Sequence, residues 1–368
     1  MILKKSYMAV IYSIDLQWIF GYLPDDIPFV IKVNIMMTII FFVFAIFFVG
    51  FIVLLRLYKI FRNRKKEEQR LLLEDLLNSY LFDEDFDKER ELKKFKDEHL
   101  NKSLEIKIAI KEILLFHSNI KGESAIQLRE LFLQWKLDEF CKKQLADRAW
   151  YSKSRALFSL SEMLIKVDLE KIKPLLNHKQ DEVRQQAQLY FIKLAEDNPL
   201  EFLDHIDKPL TLWEEIFIED ALKNEYHGPM PDYSNWLHSS QNSVVEFAIR
   251  MIAKFNQFEN ISELLPLLDH PSEEVRREAI RSLSALEHQE IIDLLISKFE
   301  TETNLVKKTI LDAIKHLGSY NDLLMLKDKM QDNEWDLKIK YYSIAQDFLP
   351  EKKQSIYTQY EKEKALLL

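Results

Sequence analysis

Residues that carry catalytic chemistry are sparse in this sequence. Cysteine occurs once, at Cys141, in an apolar repeat column, which is more typical of a buried core thiol than of a nucleophile. A lone thiol cannot form an internal disulfide and fits a reducing compartment. The five glycines form neither a G-x-x-x-x-G-K nor a G-x-G-x-x-G motif. Because such loops hold phosphate groups, nucleotide hydrolysis is disfavoured.

The nine histidines are the remaining candidates for metal ligands. His178 and His270 occupy the same turn position in two separate repeats, and we interpret them as turn residues, because the ligands of one ion must converge on a single point. The sequence therefore predicts no catalytic residue, no metal site and no cofactor.

The elements that carry these residues are repeated two-helix hairpins of about 31 residues. The reference row of the repeat is Ser152, Val183, Trp213, Val244, Val275, Val306 and Leu337. Seven places upstream stand Leu145, Leu176, Ile206, Leu237, Leu268, Phe299 and Met330, and eleven upstream Cys141, Ile172, Phe202, Tyr233, Leu264, Leu295 and Leu326. One hairpin cannot bury its apolar face alone, so seven copies predict a stack with a shared core.

Two stretches, LLDHPSEEVRREAIRSLSAL and LLNHKQDEVRQQAQLYFIKLA, resemble HEAT repeats in the short form common in bacteria. The acid of the turn and the arginine of the helix match that family at Asp269 and Arg276, and in part at Asn177 and Arg184. In the family, this pair forms a ladder between neighbouring repeats. Looser versions are Glu300 with Lys307 and Gln331 with Lys338, and the repeat of Trp213 lacks the pair. The resemblance covers about residues 138–350 and implies an all-α solenoid of about seven repeats.

Two kinds of enzyme with this architecture fit the sequence poorly. Enzymes that resemble deoxyhypusine hydroxylase bind iron through repeated His-Glu pairs, and the sequence contains no His-Glu dipeptide. HEAT-like DNA glycosylases hold DNA in a basic groove, whereas the residues after 70 carry a net charge of −14. The alternative of a HEAT-repeat enzyme with a metal or nucleotide site nevertheless stays open.

Residues 35–55 form an apolar segment of 21 residues without a charge, IMMTIIFFVFAIFFVGFIVLL. As a helix it would be about 31 Å long, the thickness of a bilayer core. A buried core helix is the alternative, but stacked hairpins would not cover such a helix on all sides. The sequence therefore predicts one transmembrane helix within residues 30–55.

A cluster of cations follows this segment: Arg56, Lys59, Arg62, Arg64, Lys65 and Lys66. The bias of positive charge toward one side predicts a single-pass protein with everything after residue 55 in the cytoplasm. The resemblance to the short repeats common in bacteria implies that this membrane is the bacterial inner membrane. Residues 1–70 carry a net charge of +5, against −14 for the remainder. We interpret the cluster as a topology signal rather than a nucleic-acid site, and it can also contact anionic headgroups.

The organisation predicted for the chain has five segments. Residues 1–29 are an extracytoplasmic or interfacial segment. A signal peptide is disfavoured, because Asp15 and Gln17 interrupt the apolar stretch and no cleavage site of small residues follows; a second membrane segment is the alternative. The others are a transmembrane helix at 30–55, a basic and then mixed-charge helical stalk at 56–103, the solenoid at 104–350 and a capping helix at 351–368.

Function is sought on the faces that do not enter the core. Positions two, six and nine after the reference row place a basic strip at Arg250, Arg277, Arg281, Lys308 and Lys315, and the irregular segment 225–236 offers Tyr226, His227 and Met230 as an exposed loop. An ordinary solvated surface is the alternative for both. In the same segment Tyr233 and Trp236 align with core positions.

The function predicted from these features is a non-enzymatic, membrane-anchored scaffold or adaptor. It would bind a membrane-associated protein partner through the solenoid. The resemblance to HEAT repeats implies a role in assembly, for example in a complex of the bacterial cell envelope that makes or exports a surface polysaccharide. Neither nucleic acid nor a small-molecule substrate is indicated.

Overall fold

The computed structural model describes residues 28–331 and 334–367, so the expectations for residues 1–27 lie outside the described part. In that part the regular structure is entirely helical, with 17 α-helices and no strand. The chain divides after Leu128 into two compact units. The first unit contains α1 (Phe29–Phe82), α2 (Lys88–His99) and α3 (Ser103–Asn119), and α4 (Glu123–Gln134) crosses the division.

Helix α1 is a single uninterrupted helix of 54 residues, which at 1.5 Å per residue is about 80 Å long. It is the one helix among the described residues that is long and apolar enough to cross a membrane. The apolar segment predicted to span the bilayer lies in its first half, where the side chains are exposed. The helix continues without a break through the basic cluster, so the apolar segment and the start of the predicted stalk are one element.

The second half of α1 packs against α3. Leu73 and Leu77 lie on one face of α1 and are fully buried, and the hydroxyl of Tyr80 donates a hydrogen bond of 3.2 Å to the carbonyl oxygen of Gln127. Between them, Asp75 is exposed and Glu74 is half-buried.

The second unit consists of seven successive hairpins. Each hairpin has a first and a second helix, and a range without a label below is a 3-10 helix. In chain order the hairpins are α5 (Leu137–Gln144) and α6 (Trp150–Glu162); α7 (Leu169–Leu176) and α8 (Asp181–Leu194); Glu201–His205 and α9 (Leu212–Asn224); Tyr233–Trp236 and α10 (Asn242–Lys254); α11 (Ile261–Leu264) with Leu265–Asp269, and α12 (Glu273–Ala285); α13 (Ile291–Lys298) with Phe299–Thr301, and α14 (Asn304–Leu317); α15 (Tyr320–Lys327) and α16 (Trp335–Phe348). The final helix, α17 (Lys353–Leu367), packs on α16, where Tyr360 stacks on Trp335 with ring centroids 5.7 Å apart.

The apolar columns form the shared core of this stack, as predicted. All seven residues of the column eleven places upstream are buried, as are six of the seven in the column seven places upstream, Met330 being half-buried. Six of the seven reference residues are buried too. The spacing of apolar residues therefore identifies the faces that neighbouring hairpins bury against one another.

The reference position predicted at Trp213 is wrong. The indole is 76% exposed, and the inward position belongs to the next residue, Glu214, whose carboxylate is buried. The cause is local: Thr211 and Glu214 form a capping box at the start of α9, which fixes the rotation of this helix. Ile218, four residues after Glu214, then enters the core in place of Phe217.

Ion pairs form a ladder between successive hairpins. Arg184 donates from Nε to Glu214 Oε1 at 2.8 Å, and Lys307 pairs with Glu334 at 2.7 Å. Arg276 bonds both carboxylate oxygens of Glu302 at 2.9 to 3.2 Å, rather than forming the expected pair with Asp269. The carboxylate of Asp269 is instead paired with the ammonium of Lys298.

Asn177 supplies a neutral rung of the same ladder. Its side-chain amide donates to the carbonyl oxygen of His205 at 2.8 Å, and its side-chain oxygen accepts from the backbone N–H of Asp207 at 2.7 Å. The turn of one hairpin is thus bonded directly to the turn of the next, so the polar ladder fixes the register that the apolar core leaves adjustable.

Leu268→Asp should lower the melting temperature of the full chain strongly, because Leu268 is 2% exposed and the carboxylate would be buried between hairpins without a partner. We expect the free energy of unfolding to fall by about 4 kcal/mol. The matched control is Leu294→Asp, since Leu294 is 38% exposed on the neighbouring hairpin. The melting temperatures are measured by circular dichroism in detergent. Equal values for the two variants would contradict the assignment of the apolar columns.

Arg184→Met should lower the free energy of unfolding by about 3 kcal/mol, because it leaves the buried carboxylate of Glu214 without its arginine partner. The double variant Arg184→Met with Glu214→Leu should recover most of that loss. A double variant as unstable as the single one would show that the pair itself, rather than the stranded charge, sets the stability.

The same pair predicts a pH dependence. Burial alone would raise the pKa of Glu214, but hydrogen bonds from Arg184 and Thr211 hold it below the ordinary value of 4.5. The stabilisation by this carboxylate is therefore complete above about pH 4.5 and is lost as the pH falls through its lower folded-state pKa. Glu214→Gln should reduce the slope of melting temperature against pH in that range.

Candidate functional site

A concavity of the second unit lies along the second helices of three successive hairpins, α9, α10 and α12. It is a groove of about 390 Å³. Its apolar lining is supplied by Leu212, Ile216, Met251, Ala253 and Ala285, and its charged lining by Glu215, Glu219, Arg250, Lys254, Glu278 and Arg281. A smaller concavity of about 220 Å³ continues from Arg281 and Ala285 onto α14. The groove therefore combines an apolar surface with a border of both charges.

The charges of the groove are joined to one another across the hairpins. Arg250 lies at the centre, 2.6 Å from Glu215 of α9 and 3.5 Å from Glu278 of α12. Glu278 also accepts from Arg281 at 3.3 Å. In a parallel row, Lys254 lies 2.6 Å from Glu219. Each carboxylate is satisfied by a cation of its own or an adjacent helix, so the network holds the three helices in fixed positions.

The protonation behaviour of the carboxylates follows their environment. Burial raises the pKa of Glu215, and the positive charge of Arg250 opposes that shift only in part. Burial likewise raises the pKa of Glu246, the neighbouring carboxyl on α10. Burial would also raise the pKa of Glu219, but its hydrogen bonds from Lys223 and Lys254 lower it overall. Glu215 in the groove and Glu246 elsewhere on α10 are therefore easier to protonate than an ordinary glutamate.

The basic strip expected from the sequence is largely a set of ion pairs. Arg250 and Arg281 belong to the network just described, Lys308 lies 3.2 Å from Asp336, and Lys315 lies 2.6 Å from Asp347. The hydrogen bond to Asp347 raises the pKa of Lys315. Arg277 differs, since its Nε is buried and has no hydrogen-bond partner among the described residues. A binding role for these five residues stays a prediction.

The expected contact loop is only partly exposed. Tyr226 is buried, contrary to expectation, and its ring lies so close to Gly228 that a Cβ there would stand 2.2 Å from the phenol oxygen. His227 and Met230 are exposed. Tyr233 and Trp236 are buried as predicted, and the Trp236 indole nitrogen donates to Asp204 Oδ1 at 3.1 Å.

The exposed apolar ridge of α9 was missed by the sequence reasoning. Leu212, Trp213 and Ile216 are 70%, 76% and 48% exposed, and their spacing of three and four residues places them on one face. Leu212 and Ile216 also line the groove. The capping sequence from Thr211 to Glu214 was the available signal, because it fixes where α9 begins and hence which residues point outward.

The residues weighed for chemistry have structural roles. Cys141 is buried in the core, where burial raises the pKa of its thiol to about 12. His178 and His270 make the same turn contact, each accepting at Nδ1 from the backbone N–H two residues later at 3.1 Å. Among the described residues, no three His, Cys, Asp or Glu side chains are grouped as metal ligands would be.

Comparison with known proteins gives a sequence match for the second unit. A family model described as HEAT repeats matches residues 234–315 and again residues 261–340. No curated protein matches the chain.

Two crystal structures of engineered proteins match the chain at low sequence identity. The first is 17% identical, with 60% of this chain and 96% of that chain covered, and the second is 15% identical, with 68% and 63% covered. The TM-score is 0.25 for each, and the chain spans less than two thirds of the second protein. The sequence match and the repeated hairpins together show that residues 234–340 of the second unit are HEAT-like repeats.

Proposed function

We propose that this protein is a membrane-anchored scaffold that docks a protein partner on the ridge of α9 and in the adjoining groove. The observation that carries the proposal is the exposure of Leu212, Trp213 and Ile216 together on one face. Large apolar side chains that are exposed singly are ordinary on protein surfaces, but a cluster beside a groove is typical of an interaction site.

The chemistry of the ridge favours a protein as the partner. Tryptophan is among the residues that contribute most to protein interfaces, because its ring buries a large area at little entropic cost. Full burial of Leu212 or Ile216 against a partner would contribute about 1.5 to 3 kcal/mol to the free energy of binding for each side chain. The ionic border of the groove gives the partner's polar groups positions to bond at the rim.

The residues of the basic strip extend this surface in the proposal. Arg281 is more than half exposed although it is paired, and Lys315 is similarly exposed beside Asp347. An acidic side chain of the partner can replace Asp347 beside Lys315 at little cost, because both side chains of this pair are exposed and exposed ion pairs are weak. Arg250, Arg277 and Lys308 lie deeper and would orient the surface, while His227 offers a second contact beside the buried Tyr226.

The proposed location is the bacterial inner membrane, with one crossing by α1 and the repeat unit in the cytoplasm. The support is the apolar first half of α1 and the cations that follow it. Residue 1 would then lie outside the cytoplasm. An assembly of the cell envelope that makes or exports a surface polysaccharide remains our proposed setting, on the basis of the anchor together with the repeats.

A photo-crosslinking residue in place of Trp213 or Ile216 should capture one discrete protein in intact cells. The same residue at Phe258 is the matched control, because Phe258 is an exposed apolar side chain outside the ridge and the groove. Equal capture from all three positions would contradict the proposed surface.

The captured protein allows a quantitative test. Trp213→Gln with Ile216→Gln should weaken its binding to the purified full chain by at least tenfold, because loss of two anchors of about 1.5 kcal/mol each exceeds one factor of ten. Phe258→Gln should leave the affinity unchanged. Unchanged affinity in the double variant would overturn the role of the ridge.

Alkaline phosphatase fused after Leu368 should be inactive in bacteria, because the enzyme needs the oxidising periplasm to form its disulfides. A fusion at the same point to a fluorescent protein that matures in the cytoplasm should be bright. An active phosphatase fusion would reverse the proposed topology and leave the docking surface outside the cytoplasm.

A further inference from the structure

A collar of cations surrounds α1 directly after its apolar half. It comprises Arg56, Lys59, Arg62, Arg64, Lys65 and Lys66. Five of these side chains are exposed and Lys66 is half-exposed, and among the described residues none of the six is paired with a carboxylate. The next cation along the helix behaves differently, because Arg70 pairs with Glu67 at 2.7 Å and with Glu74 at 2.9 Å.

The position of the collar is set by the continuity of the helix. Since α1 has no break between residues 29 and 82, the eleven residues 56–66 rise about 15 Å beyond the apolar segment. At 100° per residue the six cations project on all sides of the helix rather than along one stripe. A ring of charge at the end of an apolar segment matches the headgroup layer of a bilayer, which surrounds a spanning helix on every side.

Apolar and aromatic side chains are interleaved with the cations. Leu57, Tyr58, Ile60 and Phe61 are all exposed in the first half of the collar. Tyrosine beside lysine and arginine is characteristic of the interface between hydrocarbon and headgroups, where the ring lies among the acyl carbonyls and the charge reaches outward. A nucleic-acid site would have no need of this apolar component or of its continuity with a membrane segment.

We propose that residues 56–66 of α1 are a binding site for the headgroups of anionic phospholipids. The proposal rests on the membrane anchor of the proposed function. Guanidinium groups of Arg56, Arg62 and Arg64 can each bind a lipid phosphate with two hydrogen bonds, and the lysines add point charges. Acid side chains do not compete within the collar, because none occurs between residues 27 and 66.

The preference is measured by placing a fluorophore in the collar. The full chain with Asn63→Cys is labelled with the fluorophore at that cysteine and placed in liposomes. Its fluorescence is then quenched by phosphatidylglycerol or by phosphatidylcholine, each carrying the same nitroxide on an acyl chain, and the two extents of quenching are compared. Cys141 does not interfere, because it is buried and its thiol pKa is raised to about 12. We expect phosphatidylglycerol to be preferred about fivefold or more, the effect of one surface cation on an anionic membrane.

Two lysine pairs provide the matched variants. Lys65→Gln with Lys66→Gln should lower the preference at least about fivefold, because two cations are removed, and 1 M salt should lower it in the parent protein as well. Lys93→Gln with Lys94→Gln removes the same charge from exposed positions of α2 and should leave the preference intact. An unchanged preference in the collar variant, or an equal loss in the control, overturns the proposal.

Two further outcomes separate this proposal from its alternatives. Flotation with liposomes of pure phosphatidylcholine tests the anchor alone: a protein that fails to float refutes the membrane anchor, whereas one that floats but shows no preference refutes only the lipid site. Displacement of phosphatidylglycerol by transfer RNA at low ionic strength would assign the collar to nucleic acid and overturn the proposal.

Discussion

Each hairpin of the second unit depends on its neighbours for burial. A pair of short helices has an apolar face that it cannot cover by itself, and the columns through Val275, Leu268 and Leu264 are the parts of that face which adjacent hairpins share. The stability of any one hairpin is therefore a property of the interfaces on both of its sides. For the same reason a charge placed in a column should weaken two interfaces at once.

Apolar columns alone do not fix how one hairpin sits on the next, because apolar contact is not directional. The polar ladder supplies direction. Asn177 bonds the backbone of the following turn through both atoms of its amide, while Arg184, Arg276 and Lys307 each reach a carboxylate of the next hairpin. Lys193 goes further, since it lies between Glu162 of the preceding hairpin and Glu225 of the following one. The ladder therefore holds the hairpins at fixed spacings, and the groove along α9, α10 and α12 depends on that spacing.

The same ion pairs limit which charges are available to a partner. Arg250 bridges two helices and belongs first to the internal network, whereas the apolar ridge of α9 has no internal use. Helix α1 shows the complementary case. In the part of the chain that the structure describes, its cations at 56–66 have no carboxylate partner, while Arg70, one turn later, has two. Side chains without an internal role identify the surfaces on which we base the two proposals: the ridge for a protein and the collar for lipid.

The helical class, the seven hairpins and the apolar segment of α1 could be predicted from the sequence, because they depend on the spacing of apolar residues along one chain. The sequence also placed Cys141, Tyr233 and Trp236 correctly in the core. Only the tertiary structure decided the partners of the charges, since residues that pair here are separated by 26 to 35 positions and spacing does not show which carboxylate a long side chain reaches. The rotation of α9 was likewise settled by its cap, which moved Trp213 outward and Glu214 inward against the apolar pattern. Where a polar contact outweighs the burial of an apolar side chain, periodicity alone assigns the wrong face.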